Sequence, residues 1–352
     1  MVAFPNMKGL ATALPVTCYG ASAMVFSTIA KTYFPGNTTT FLYSLVFIPL
    51  AISVVCGPLV CLMDKETHNH AYTPTAQVSK EYEFSKIALP LSQTSTPLSD
   101  SFSDSYDPNS SVLKTSNFWC LTVVLCICAG LSQMYIYSLG LIVTSLVADS
   151  EFIASNFVHY QSMIQHHQQT QVGLLSLASC CGRLLTGLTA DTFYHFHMPT
   201  LLLLYIPALL VITSQIFGYL FDTINTIWLL SVFVGFGYGS IYSAGPIIVR
   251  ELWGIEKFSF HWGLINMSPI LCNVLFSSMF AKGYDQHTRV QKFSIDDDKV
   301  EVAVCNFKKY CYNGTYKITF FISLIPFVLV SVMIIKELLR RYSRRQYHQS
   351  KL

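Results

Sequence analysis

The chain has 352 residues, of which 52% are hydrophobic and 12% charged, with a mean hydropathy of +0.45 and a formal net charge of +3. A water-soluble domain carries about twice that charged fraction, so the composition excludes an ordinary soluble enzyme. The near-neutral balance leaves no electrostatic basis for nucleic-acid binding.

A helix needs about 20 apolar residues to cross the hydrocarbon core. In chain order, eight segments meet that requirement: 10–30, 41–63, 118–136, 172–189, 201–219, 228–249, 262–281 and 318–335. The third belongs to a longer apolar run, 118–147. That run reads as one long helix interrupted at Gly130 or Gly140, or as a span with an extension. Unpaired backbone is too costly in lipid for irregular chain to cross, so the expected fold is all-α: a polytopic transmembrane bundle of about eight spans.

Most of the 22 Lys and Arg fall on one side of these spans, the side that also carries both chain ends. The excess of basic residues places that side in the cytosol. The organisation read from this is two helices in 1–63, a linker in 64–117, six helices in 118–336 and a basic cytosolic tail in 337–352. The linker is polar and rich in Ser, Thr and Pro. It cannot bury enough apolar area to order itself, so it is expected to be a disordered cytosolic segment.

Between the spans, Asn37 and Asn313 begin glycosylation sequons in loops assigned to the lumen, while the sequon at Asn109 falls on the cytosolic side. Nine of the eleven Cys lie in apolar stretches and read as small buried or lipid-facing residues. Cys305 and Cys311 sit in a polar lumenal loop, where a disulfide is one reading and two free thiols the other. His159, His166 and His167 are expected in a solvated loop. Their spacing matches no metal site, and no cofactor is implied.

Residues 180–193 read CCGRLLTGLTADTF, between two apolar stretches. Gly182, Arg183, Gly187 and Asp191 stand there in the pattern G-R-x-x-x-G-x-x-A-D, which resembles the signature loop of the major facilitator superfamily. Residues 7–29, MKGLATALPVTCYGASAMVFSTI, and 234–285, with a glycine-rich helix, an R-E-L-W-G turn and G-L-I-N-x-x-P, resemble the fungal monocarboxylate-permease-homologue branch. That branch is vacuolar and nodulin-like. The resemblance implies that the spans are helices five to twelve of a twelve-helix carrier, that Met1 is an internal methionine, and that the partners are a small solute and the bilayer. It implies alternating access and a vacuolar membrane location.

In animal monocarboxylate carriers an Asp precedes the signature Arg by four residues. Here that position is Ser179, which cannot carry a proton at neutral pH. Arg183 is open to three readings: a lock for one state of the carrier, a lining group of the pathway, or a charge snorkelling to the headgroups. Tyr238 and Tyr242, four apart on one face, offer hydrogen bonds to a polar solute or pack as ordinary aromatics. Gly235, Gly237, Gly239 and Gly245 read as a bendable gate or as close packing. A membrane enzyme is not supported, since neither G-x-S-x-G nor H-E-x-x-H nor an intramembrane acid pair occurs. The alternative to a carrier is a non-transporting eight-helix partner protein.

Overall fold

The computed structural model describes residues 7–33, 38–71, 115–147, 157–255, 257–295, 298–305 and 308–349. Among these residues eight α-helices follow one another: α1 (Lys8–Tyr33), α2 (Thr38–Ala71), α3 (Ser116–Val147), α4 (Phe157–His195), α5 (Tyr205–Leu220), α6 (Ile227–Trp253), α7 (Phe258–Asp285) and α8 (Asn313–Gln349). All eight are long and apolar enough to span a membrane. The all-helical bundle expected from hydropathy is therefore what forms.

Three boundaries differ from the sequence reading. The run 118–147 is a single unbroken helix. Residues 157–171, expected as a histidine-bearing loop, are the first turns of α4. Their polar residues recur too densely to register as a span, yet the backbone hydrogen bonds of the apolar span that follows extend back through them. The first residues of the expected linker, 64–71, likewise continue α2; residues 72–114, including Asn109, lie outside the described residues.

By contacts the chain divides into two units, Met1–Ser27 with Tyr106–Leu352, and Thr28–Ser105. The smaller unit holds the last turns of α1 and all of α2, whose residues from Val46 to Leu59 are exposed. Pro49 and Pro58 lie inside α2, where each removes a backbone hydrogen bond. The larger unit has α6 at its centre, packed against α4, α5, α3 and α7. Its core includes Leu121, Leu131, Tyr135, Val234, Ile248, Phe276 and Phe280.

Apolar contact alone does not hold transmembrane helices in register, because lipid is equally apolar. Here buried hydroxyls and amides do so. The Tyr135 phenol of α3 lies 2.6 Å from Ser231 Oγ of α6, and Ser231 donates onward to Gln171 Oε1 of α4 at 2.7 Å. Thr319 of α8 donates to Gln215 Oε1 of α5 at 2.7 Å. A disulfide, Cys126–Cys272, joins α3 to α7 with Cα atoms 5.6 Å apart. These two Cys depart from the expectation of inert small residues, because they face one another where Gly130 lets α7 come close; a Cβ on Gly130 would meet Cys272 Cβ at 2.6 Å.

The connection from α7 to α8 carries a small antiparallel hairpin, β1 (Arg289–Ile295) and β2 (Asp298–Val304), in register from Arg289↔Val304 to Ile295↔Asp298. Alternating Val300, Val302 and Val304 favour the extended chain. At its foot Cys305 and Cys311 form a second disulfide. The Cys305 backbone N–H reaches the Tyr284 phenol, and Tyr312 stacks on Phe280 at 6.1 Å. The hairpin is thereby anchored to α7 and to the start of α8.

Candidate functional site: the seam between α1 and α4

Gly182, Arg183, Gly187 and Asp191 lie on continuous helix rather than on a loop, since α4 runs on to His195. The expected signature loop is thus the last turns of α4. Helical spacing explains why: 183, 187 and 191 are four apart and share one face, which would have no purpose in a loop. That face receives α1, and the two helices run antiparallel, with Gly9 beside Gly187 and Asp191, and Thr17 beside Cys180.

Two charged side chains of α4 hold α1 by its backbone. The Asp191 carboxylate accepts the Gly9 N–H at 2.6 Å on Oδ1 and the Leu10 N–H at 3.0 Å on Oδ2. These are first-turn N–H groups that lack a partner within their own helix, and a negative charge is favoured at that end of the helix dipole. Further along, Arg183 Nη1 donates to the Val16 carbonyl oxygen at 2.5 Å. Small residues allow this approach. A Cβ on Gly9 would meet the Gly187 carbonyl oxygen at 2.5 Å, and the space beside Gly20 is filled by the Arg183 guanidinium.

Arg183 is only 3% exposed. Its neighbours in electrostatic reach are Tyr238, Cys180, Tyr19 and Tyr242, and among the described residues no carboxylate is one of them. Its Nε, together with Ser179 Oγ and Thr186 Oγ1 on the same helix, is buried without a hydrogen-bond partner among the described residues. Tyr238 and Tyr242 stack edge-on with centroids 4.9 Å apart. So Arg183, Ser179, Tyr238 and Tyr242, singled out separately in the sequence, converge at one place. A buried cation with unmet donors and hydroxyls around it is a chemically competent receptor for an anionic or polar group.

At the same end of the bundle, Arg250 of α6 lies in electrostatic reach of Asp191 and of Glu251. Glu251 in turn is bonded by the Thr200 hydroxyl and reached by Arg341 of α8. The glycines of α6 are closely packed. Gly235 and Gly239 lie on the Leu175 and Ser179 carbonyls of α4, Gly237 on Leu210 and Val211 of α5, and Gly245 on Trp262 of α7.

Other expected residues fall elsewhere. Asn313 opens α8 with its Oδ1 buried and unpartnered among the described residues; Asn37 lies outside them. His166 is exposed on α4, and no cluster of three metal-ligating side chains occurs among the described residues. Sequence reasoning missed Val16, Tyr19 and Gly20. The only signal was the run of small residues in CYGASA, which resembles ordinary membrane-helix composition.

No protein-family model matches the chain. It is similar to an uncharacterized membrane protein of Saccharomyces cerevisiae, 25% identical over 90% of this chain and 69% of that one. It is also similar to proteins named "Probable transporter MCH1". The one from Wickerhamomyces anomalus is 24% identical over 80% of this chain and 55% of the relative. The one from Emericella nidulans is 28% identical over 49% of this chain and 31% of the relative. The chain thus covers 55% and 31% of the length of these two named transporters. With the eight apolar helices, these relatives support a multi-pass membrane protein similar to the MCH1 transporters.

Proposed function

We propose that the chain belongs to a solute carrier of the major facilitator type that works by alternating access, with the α1–α4 seam as its cytosolic gate. The observation that carries this reading is the pair of ties from one helix to the backbone of another, Asp191 to Gly9 and Leu10 and Arg183 to Val16. A contact made of two charged ties between small-residue surfaces parts without opening a hydrophobic core, as a rocking carrier requires. When the seam parts, Asp191 passes to Arg250 and the donors of Arg183 become free for a solute beside Tyr238 and Tyr242.

In this reading the eight spans are helices five to twelve, the segment 64–117 joins two halves on the cytosolic side, and the membrane is vacuolar. Asn37 and Asn313 then face the lumen as glycan acceptors, and Cys305–Cys311 is a lumenal disulfide. Ser179 in place of an acid argues for transport without a proton carried at that position. The name shared by several relatives favours the carrier over a non-transporting partner.

The solute class follows from the buried cation: a small organic anion. The test is the melting temperature of the purified protein against a panel of mono- and dicarboxylates, followed by tracer uptake into vesicles for any that stabilise it. The expected result is stabilisation by at least one member that Arg183→Gln abolishes, at about 2 kcal/mol for a lost charge-assisted bond. A panel with no effect, together with unchanged labelling of the Cys180 thiol in Asp191→Ala, sinks the reading.

A further inference from the structure

α8 outruns the membrane. It is continuous from Asn313 to Gln349, about 55 Å at 1.5 Å per residue, whereas the hydrocarbon core is about 30 Å thick. Its apolar run ends at Ile335. The stretch that follows, KELLRRYSRRQYHQSKL, holds six Lys or Arg and a single acid, Glu337. That acid is already engaged: its Oε1 lies 2.9 Å from Arg341 Nε. Arg341 is also reached by Glu251 at the end of α6, so the root of the extension is fixed to the bundle. Lys336 and Arg340 are exposed.

Helix geometry sorts the rest. At about 100° per residue, positions 336, 340, 341, 344 and 345 occupy one half of the circumference. Leu338, Leu339 and Tyr342 occupy the other half and are 50%, 62% and 62% exposed. The basic run starts at the edge of the hydrocarbon and rises about 14 Å from it. That is within about two Debye lengths of a charged leaflet.

We propose that this extension is a binding site for the anionic phosphate headgroups of lipids in the leaflet where α8 emerges. Two features select a lipid over a soluble polyanion. The arginines begin where headgroups begin, and the opposite half of the helix presents apolar residues suited to the acyl boundary. Guanidinium matches phosphate bidentately, and each basic residue near an anionic leaflet contributes about fivefold in binding. The site stands on its own and does not depend on the carrier reading.

The test is fluorescence anisotropy of a labelled phosphatidylinositol bisphosphate titrated with the full chain in neutral detergent. The unlabelled bisphosphate lipid, phosphatidylserine, phosphatidylcholine and soluble inositol hexakisphosphate serve as competitors. The expected order is bisphosphate lipid, then phosphatidylserine, with phosphatidylcholine at least tenfold weaker. Arg340→Gln, Arg344→Gln and Arg345→Gln together weaken binding at least tenfold, whereas the matching Lys variants keep most of it. Should the Gln variant not fold, binding by the unaltered protein must still weaken at least tenfold between 50 mM and 500 mM salt. Binding that ignores salt, equals that of phosphatidylcholine, or survives in a folded Gln variant overturns the proposal. So does inositol hexakisphosphate competing as well as the unlabelled bisphosphate lipid, which makes the site one for soluble polyanions.

Discussion

α4 crosses α6 and α1 by different means, and the contrast bears directly on the proposed gate. Against α6 the contact is extensive and interlocked, with Gly235 and Gly239 laid on α4 carbonyls, Gly182 on the Phe236 carbonyl, and Ser243 donating to the Arg183 carbonyl at 3.1 Å. No side chain stands between these backbones, so the crossing has one geometry. Against α1 the small residues serve proximity, while the hold comes from Asp191 and Arg183 reaching backbone groups. Such ties can be re-made to water or to another charge without a cavity being left behind, whereas parting the α6 crossing opens tightly packed backbone.

Four variants break or sharpen that contrast. The largest effect is expected from Gly239→Val, whose side chain would overlap the Ser179 carbonyl. Overpacking of this kind costs about 3 kcal/mol. It should lower the detergent melting temperature and the folded yield while leaving Cys180 labelling in the surviving protein unchanged.

Next comes loss of the α3–α7 link in Cys126→Ala with Cys272→Ala, at about 2 kcal/mol. Under oxidising conditions the unaltered chain should melt above the variant, and the gap should close under reducing conditions, where Cys305–Cys311 opens in both; no gap under oxidising conditions would show that the bond contributes nothing.

Asp191→Asn should act on the α1 seam alone. About 1 kcal/mol of helix-end charge interaction is lost, with melting nearly unchanged. Residue-resolved labelling of Cys180, beside the Thr17 carbonyl at 3.8 Å, should rise about fivefold, that energy converted to a population. A large drop in melting temperature without faster labelling would make the α1 seam as static as the α6 one. The smallest effect belongs to Tyr135→Phe, which removes one buried bond to Ser231 at about 0.6 kcal/mol. Its check is a melting shift of at most a few degrees with no change at Cys180.

The glycines of α6 show why some of this was illegible. Their spacing indicated no single face, which left gate and packing equally open. The reason is that α6 is surrounded: Gly235 and Gly239 meet α4, Gly237 meets α5 and Gly245 meets α7. A periodicity argument presumes one neighbour per helix, and a central helix has several. The Cys126–Cys272 bond was hidden for a related cause. Its partners are 146 residues apart in two unrelated apolar runs, and pairing is a property of which helices become neighbours. The signature residues were legible as a set, because Arg183, Gly187 and Asp191 carry a fixed spacing. Their partners on α1 were not, since backbone N–H and C=O groups have no sequence signature.

Hydrophobic length and the asymmetry of basic residues belong to the sequence itself. Each span must satisfy the bilayer whatever its neighbours do, so eight helices and the basic tail were readable at once. Which helices touch, which glycines face which carbonyls, and which buried hydroxyls meet are decided only on packing. In lipid no hydrophobic gradient points a helix face inward, and close approach, hydrogen bonds and buried charge make the selection. The seam of α1 on α4 is that selection at the site itself, with charges written in one helix and their partners supplied by the backbone of another.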